Sequence, residues 1–212
     1  LKFMTVQINY KSSRSKKDLS NLVLFVDEKF NIAGLKKKTS KSEFLYISDL
    51  LKTSDLKKDL LFFKIHSKKT IFLVSIKKDI KTSDIESLGA KFHGYIDYDK
   101  KNDYFVNSDT INSKIKNFVG YFLHGLKLKS YEFNIYKSKK DKKLVSINVI
   151  GNENKISAHD QLRFKALEEG TFFARDLVSE PGNILHPDEY AKRINSLKKF
   201  GLKINIYDEK KL

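Results

Sequence analysis

The five histidines of this chain, His66, His93, His124, His159 and His186, are the first residues to weigh for chemistry. An imidazole can ligate a metal or move a proton near neutral pH. A zinc helix needs two of them at H-E-x-x-H or H-x3-H spacing, with a carboxylate close by. No two of the five stand that close. His159 precedes Asp160 near an expected helix start, where the pair reads as an N-terminal cap and not as a catalytic dyad. The run His186-Pro187-Asp188-Glu189 holds three ligand types, but consecutive residues at a helix start splay around the axis and do not converge on one ion. Asp97, Asp99 and Asp103 alternate as in a calcium loop, yet the glycine and the closing glutamate are missing at the required offsets, so they read as a solvated turn. The chain has no cysteine, which removes thiolate catalysis, disulfides and cysteine-ligated zinc and is compatible with a reducing compartment. It has no G-x-S-x-G elbow and no Walker loop. The reading therefore assigns no catalytic, cofactor-binding or metal-ligating residue to these 212 residues.

The elements that would position any site alternate between strand and helix. Residues 5–10 and 21–26 are rich in β-branched and aliphatic side chains and read as strands. Residues 40–55 carry Phe44, Ile47, Leu50 and Leu51 at helical spacing. Residues 59–66 and 70–76 are apolar runs parted by three polar residues, an expected antiparallel hairpin. Residues 82–96 open with Ser83 and Asp84 and have Glu86 soon after, which reads as a capped helix start. Residues 102–109 form a weak strand. Residues 109–128 read as one longer helix with Ile111, Ile115, Phe118, Val119 and Phe122 on a stripe. Residues 137–143 form a charged turn, and 144–150 a strand buried on both faces, ended by Gly151-Asn152. Alternation of this kind predicts an α/β layer domain with a mixed sheet.

Behind it, residues 156–178 read as a long helix on which Ala158, Leu162, Ala166, Gly170 and Ala174 recur every fourth position, a ridge of mostly small groups fit for close packing. The helix stops at Ser179-Glu180-Pro181-Gly182-Asn183. A second helix starts with Pro187 at its first position and Asp188 and Glu189 in the first turn, where the helix dipole favours them, and ends at Gly201. Residues 202–208 read as a strand, and the last residues look like the beginning of a further helix. Met4 would serve as a start, and both ends suggest a fragment.

Charge divides the chain at the same place. Residues 1–152 hold 31 Lys/Arg against 16 Asp/Glu, whereas 153–212 hold 11 against 10, within an overall charge of +16. Only four of the basic residues, Arg14, Arg163, Arg175 and Arg193, are arginine. Lysine supplies charge neutralisation and little base readout, so the basic front predicts at most weak, salt-sensitive binding to nucleic acid. No apolar run approaches the roughly 18 residues of a membrane span, so no membrane partner is expected. These features give three segments: an N-terminal α/β domain over 1–152, a linker helix over 153–179, and the beginning of a second α/β domain over 180–212.

Both prolines of the chain, Pro181 and Pro187, lie in the stretch ARDLVSEPGNILHPDEYAKRI at 174–194. This stretch resembles the A-R-D-L-V-N-x-P-x-N-x-L-T-P pattern of the leucyl (cytosol) aminopeptidase family. Ala174, Arg175, Asp176, Leu177, Val178, Pro181, Asn183, Leu185 and Pro187 match it, while Ser179 stands where asparagine is usual and His186 where threonine is. Residues 120–140 are similar to a second family stretch through Gly125, Leu128, Tyr131, Phe133, Tyr136 and Lys137. The first hundred residues match only in the order of their elements, and residues 73–78 stand where family members often have a glycine-rich turn. The resemblance implies a macro-like N-terminal domain, a linker helix and the truncated start of the catalytic domain of a cytoplasmic two-metal exopeptidase that releases N-terminal residues from peptides. It also implies two Mn or Zn ions, ligated in the missing domain where the N-T-D-A-E-G-R-L stretch belongs, and a homo-hexamer. The segment itself would be structural. The alternative is a stand-alone basic α/β module that binds nucleic acid or a phosphate ligand.

Overall fold

A computed structural model of the chain describes residues 6–10, 21–98, 103–138, 144–208 and 211. Asp99, Met4 and most of the charged turn at 137–143 lie outside the described residues. Two compact units result, Leu1–Glu168 and Glu169–Leu212.

The first unit is a mixed α/β sandwich. Its strands are β1 (Val6–Asn9), β2 (Asn21–Asp27), β3 (Leu60–His66), β4 (Lys69–Ile76), β5 (Asp103–Asn107) and β6 (Val145–Ile150), in the sheet order β1-β6-β5-β2-β4-β3. All neighbours pair parallel except the β3–β4 hairpin. Helices α1 (Lys41–Leu51), α2 (Thr82–His93) and α3 (Phe118–Lys129) supply the crossovers. Side chains alternate across β2: Val23 and Phe25 enter one core with α2 and α3, whereas Leu22, Leu24 and Val26 enter another with Ile47 of α1. A strand covered on both faces has no polar face to show, which is why residues 21–26 are uninterruptedly apolar.

Helix α1 begins with a reciprocal capping box. The Glu43 N–H donates to Ser40 Oγ at 3.2 Å, and the Ser40 N–H donates to Glu43 Oε2 at 2.9 Å. For α2 the expected Ser83/Asp84 cap is displaced. Lys81 is the N-cap, and Asp84 in the first turn accepts the Lys81 N–H at 2.9 Å.

The expected helix over 109–128 begins only at Phe118. Ser108–Thr110 form a 3-10 turn, and Asn117 sits in the left-handed region at φ 58°, a conformation asparagine tolerates and a continuing helix does not. Ile111 and Ile115 still reach the core, but from a loop. Helices α2 and α3 touch backbone to backbone. A Cβ on Gly89 would lie 1.8 Å from the Phe122 carbonyl oxygen, and one on Gly125 would lie 1.9 Å from that of Glu86.

Helix α4 runs from Ala158 to Ser179. Its cap is Ser157, whose Oγ accepts the Asp160 N–H at 3.0 Å; His159 takes no part in it. The four-spaced ridge of Ala158, Leu162, Ala166, Gly170 and Ala174 is exposed throughout. Within the first unit the packing face is instead Phe164 and Glu168, and the Phe164 ring meets Tyr121 edge-on at 5.2 Å over Gly120. Large side chains win this face because they cover more apolar area than alanine does.

In the second unit, α5 (Pro187–Asn195) starts on Pro187 with Asp188 and Glu189 in its first turn, and Gly201 ends the following 3-10 turn at φ 84°. Arg193 forks between Glu180, at 2.8 Å, and Glu189, at 3.0 Å, so it ties the Pro181 turn to α5. Residues 202–208 form no strand, contrary to their pattern, because an extended segment becomes a strand only on a ladder partner and none pairs with it among the described residues. Helix α5 buries no residue. In the 212-residue chain, amides of 188–208 are therefore expected to exchange with solvent far faster than those of 144–150, as read by hydrogen exchange. Equal, strong protection in the two segments would show that 169–212 is a complete folded body.

Candidate functional site

In open α/β sheets the chain is best placed to hold a ligand at the carboxyl ends of parallel strands where neighbouring crossovers diverge. Here that place lies between β2 and β5. The chain leaves β2 toward β3 and β4, by way of α1 on one face, and leaves β5 toward β6, by way of α3 on the other.

Half of this edge is closed by the chain's own polar groups. Asp109, in the turn after β5, accepts the N–H groups of Asn152 at 2.6 Å and Glu153 at 2.8 Å on one oxygen, and the Lys38 ammonium at 2.8 Å on the other. Gly151, at φ 112°, lets the chain after β6 turn against that carboxylate: a Cβ there would stand 2.7 Å from Asp109 Oδ1. Thr110 Oγ1 accepts the Phe25 N–H at 2.9 Å, and Asn154 Nδ2 donates to the carbonyls of Ser108 and Ile111. Burial alone would raise the pKa of Asp109. The Glu153 N–H, Lys38 and the Asn152 N–H outweigh it and hold the carboxyl at about 2, below its ordinary 3.8.

A group depressed in this way adds stability that is fully present above pH 3.8 and is lost as pH falls through about 2. Asp109→Asn is expected to flatten the acid limb of the stability curve between those values, with the two proteins converging at its foot. Urea unfolding at several pH values reads this, and parallel curves for both proteins would refute it.

The other half of the edge is open. A cleft of about 480 Å³ is bounded by residues 27–29 after β2, 76–79 after β4 and 112–114 ahead of α3. Four lysines and three carboxylates line it together with Asn112 and Ser113.

The histidines lie on separate elements. His66 Nδ1 accepts the Lys68 N–H, His93 bonds Tyr98 at 2.7 Å, and His124 faces Glu168 at 3.4 Å. His186 is the N-cap of α5 without a side-chain bond. Asp97 donates its N–H to the Tyr104 hydroxyl, and Asp103 opens β5. Among the described residues no three His, Asp or Glu side chains gather into a metal-holding group, so the described residues do not fit a two-metal centre. The cleft escaped the sequence because its residues come from three separated loops, each unremarkable alone. Only the convergence of strand ends assembles them.

No family model matches the chain. Among curated proteins, the probable cytosol aminopeptidase of Methylobacterium radiotolerans is 34% identical over 95 residues, 42% of this chain and 19% of that protein. That of Clostridium perfringens is 31% identical over 121 residues, 53% of this chain and 24% of the relative. Among solved structures, a tomato leucine aminopeptidase mutant aligns with a TM-score of 0.66 at 18% identity, over 97% of this chain and 45% of that one. The cytosol aminopeptidase of Coxiella burnetii gives 0.64 at 13% identity, over 97% and 40%. The bottromycin maturation enzyme BotP in complex with Mn gives 0.64 at 14%, over 92% and 39%. The chain thus spans under half the length of the solved structures, and its matched stretch about a fifth to a quarter of the curated relatives. In sequence and in fold, it matches the leucyl (cytosol) aminopeptidase family over part of those proteins' length.

Proposed function

We propose that these 212 residues are the N-terminal portion of a leucyl aminopeptidase that releases N-terminal residues from peptides, and that they shape and assemble the enzyme without performing its chemistry. The observation that carries this reading is the likeness to cytosol aminopeptidases, in sequence and in fold, over part of those proteins' length. A two-metal peptidase needs several carboxylates converging on ions about 3.5–4 Å apart, to activate a water and to clamp the tetrahedral intermediate. That ligand set, for Mn or Zn, would come from sequence beyond these residues. A cytoplasmic setting, supported by likeness to relatives named cytosol aminopeptidase, and assembly as a homo-hexamer belong to the same proposal.

The 212-residue chain is expected to release no p-nitroaniline from Leu-p-nitroanilide in excess Mn²⁺ or Zn²⁺, above a heat-treated control. The complete reading frame is expected to do so in a metal-dependent way. Metal-dependent turnover by the short chain, or none by the long one, would overturn the reading.

A further inference from the structure

Strand β3 ends the sheet, and its pairing leaves a definite set of backbone groups unused. The Ser75 N–H donates to the Asp59 carbonyl at 2.9 Å, and the register continues with Leu61 opposite Leu73 and Phe63 opposite Ile71. In an antiparallel ladder, hydrogen-bonded pairs alternate with non-bonded ones. Asp59, Leu61 and Phe63 therefore bond to β4, whereas the N–H and C=O groups of Phe62 and Lys64 point away from the sheet. No backbone group among the described residues takes them up. Unpaired groups of this kind are a template for a further strand. The template is short, because the ladder shifts register between Lys64 and His66.

The side chains beside these groups decide which strand fits. Phe62 is 53% exposed, and its ring lies 5.3 Å from that of Tyr95, itself 42% exposed. Lys64 projects from the same face as Phe62, since side chains two apart on a strand share a face. It is exposed and forms no ion pair among the described residues. Asp59 at the start of the strand is already held by Lys77 and Lys91. The edge thus offers an aromatic pair and an unneutralised ammonium, in line with open backbone groups. Two copies of the chain paired about Phe62, Phe63 or Lys64 would set that ammonium against Leu60, Phe62 or another Lys64, and never against a carboxylate. A lysine on an edge strand discourages such self-pairing but favours an acidic strand.

We propose that the β3 edge binds an extended acidic peptide antiparallel to β3, with a carboxylate residue opposite Lys64 and, two positions later, an aromatic residue opposite Phe62 and beside Tyr95. Main-chain bonds to Phe62 and Lys64 would supply affinity, and the two side-chain pairs the sequence preference.

The probe is acetyl-Thr-Ser-Glu-Thr-Phe-Thr-Ser-amide, titrated into the 212-residue chain and followed in amide spectra. Saturable shifts are expected at residues 60–66 and 93–96, with β1 unmoved. Lysine in place of the peptide's glutamate should weaken binding about threefold or more, and Lys64→Glu should invert that preference. N-methylation of the peptide's phenylalanine, whose N–H faces the Phe62 carbonyl, should weaken binding about threefold or more. N-methylation of the threonine between glutamate and phenylalanine, whose N–H faces away from β3, should cost much less. Phe62→Thr should weaken binding while leaving the thermal midpoint near that of the parent, because the ring is largely exposed. Absence of saturation, equal affinity for the glutamate and lysine peptides, or equal effects of the two N-methyl groups would overturn the proposal. So would a dimer of the peptide-free chain that Phe62→Thr dissolves, which would give the edge to a second copy.

Discussion

Alanine at Gly125 is expected to destabilise the Leu1–Glu168 unit by about 3 kcal/mol or more, the upper end for overpacking, and alanine at Gly89 by a similar amount. The added methyl has nowhere to go. At Gly125 it would meet the Glu86 carbonyl at 1.9 Å, and at Gly89 the Phe122 carbonyl at 1.8 Å. Both obstacles are backbone of the facing helix, so no side chain can rotate away and α2 must part from α3. That separation would open the core around Phe92, Phe122 and Phe25, whose rings interlock at 5.2–5.8 Å. A loss of this size corresponds to a fall in thermal midpoint of roughly 6–12 °C for a domain of this length. Gly170→Ala is the internal control. Nothing lies within 4 Å of its Cβ position in α4, and helix propensity alone should stabilise the variant by up to about 1 kcal/mol. Thermal melts of the three variants decide the matter, and a Gly125→Ala midpoint within a degree or so of the parent would refute the close crossing.

The second large effect is expected at Lys127. Its ammonium is buried and donates to the Val6 carbonyl of β1, and Glu168 of α4 attracts it. Burial pushes the Lys127 pKa down, with Glu168 opposing; burial, together with Glu168, pushes Tyr10 up. Buried Lys127, Glu168 and His124 and half-buried Tyr10 therefore link the end of β1, α3 and the middle of α4. Removing a single member leaves the rest uncompensated, at about 3–5 kcal/mol for a buried charge that loses its partner. Lys127→Ala is expected to cost that much. Lys127→Met combined with Glu168→Gln is expected to recover most of it, because the stem still packs and no lone charge remains. Chemical unfolding of Lys127→Met, of Glu168→Gln and of their combination measures the coupling. Strictly additive losses would mean that the two residues do not share an environment.

The strands and helices of the first unit were legible because their patterns are local. The uninterrupted run at 21–26, the hairpin at 59–76 and the strand before Gly151 each declare their burial in composition. The misreadings arise where two rules compete. The apolar spacing of Ile111 and Ile115 continues a helical stripe, but Asn117 and the side chain of Asn154 stabilise a loop there. The small ridge of α4 looked like a packing surface, yet Phe164 took that role with a larger apolar area. The strand expected at 202–208 failed for lack of a partner, which no segment can reveal about itself. The capping box at Ser40 and Glu43 is written in the sequence as Ser-x-x-Glu, whereas α2 starts on Lys81, which no cap rule singles out. No spacing rule could find the cleft, because residues 27–29, 76–79 and 112–114 meet at one edge only through the sheet order.

The register of β1 has a consequence for how the protein is made. Val6 pairs with Val145 and Asn9 with Asn148, whose amide and carbonyl side-chain groups meet at 2.9 Å across 139 positions of sequence. Val6 also waits for Lys127. The ribosome adds about 5–20 residues each second, so β1 waits on the order of ten seconds for its neighbour β6 to be made. During that interval the four strands β2 to β5 and the helices between them can assemble, and β1 can join only once β6 has been added, as an edge beside it. Synthesis runs from front to back, and the sheet is finished at its front.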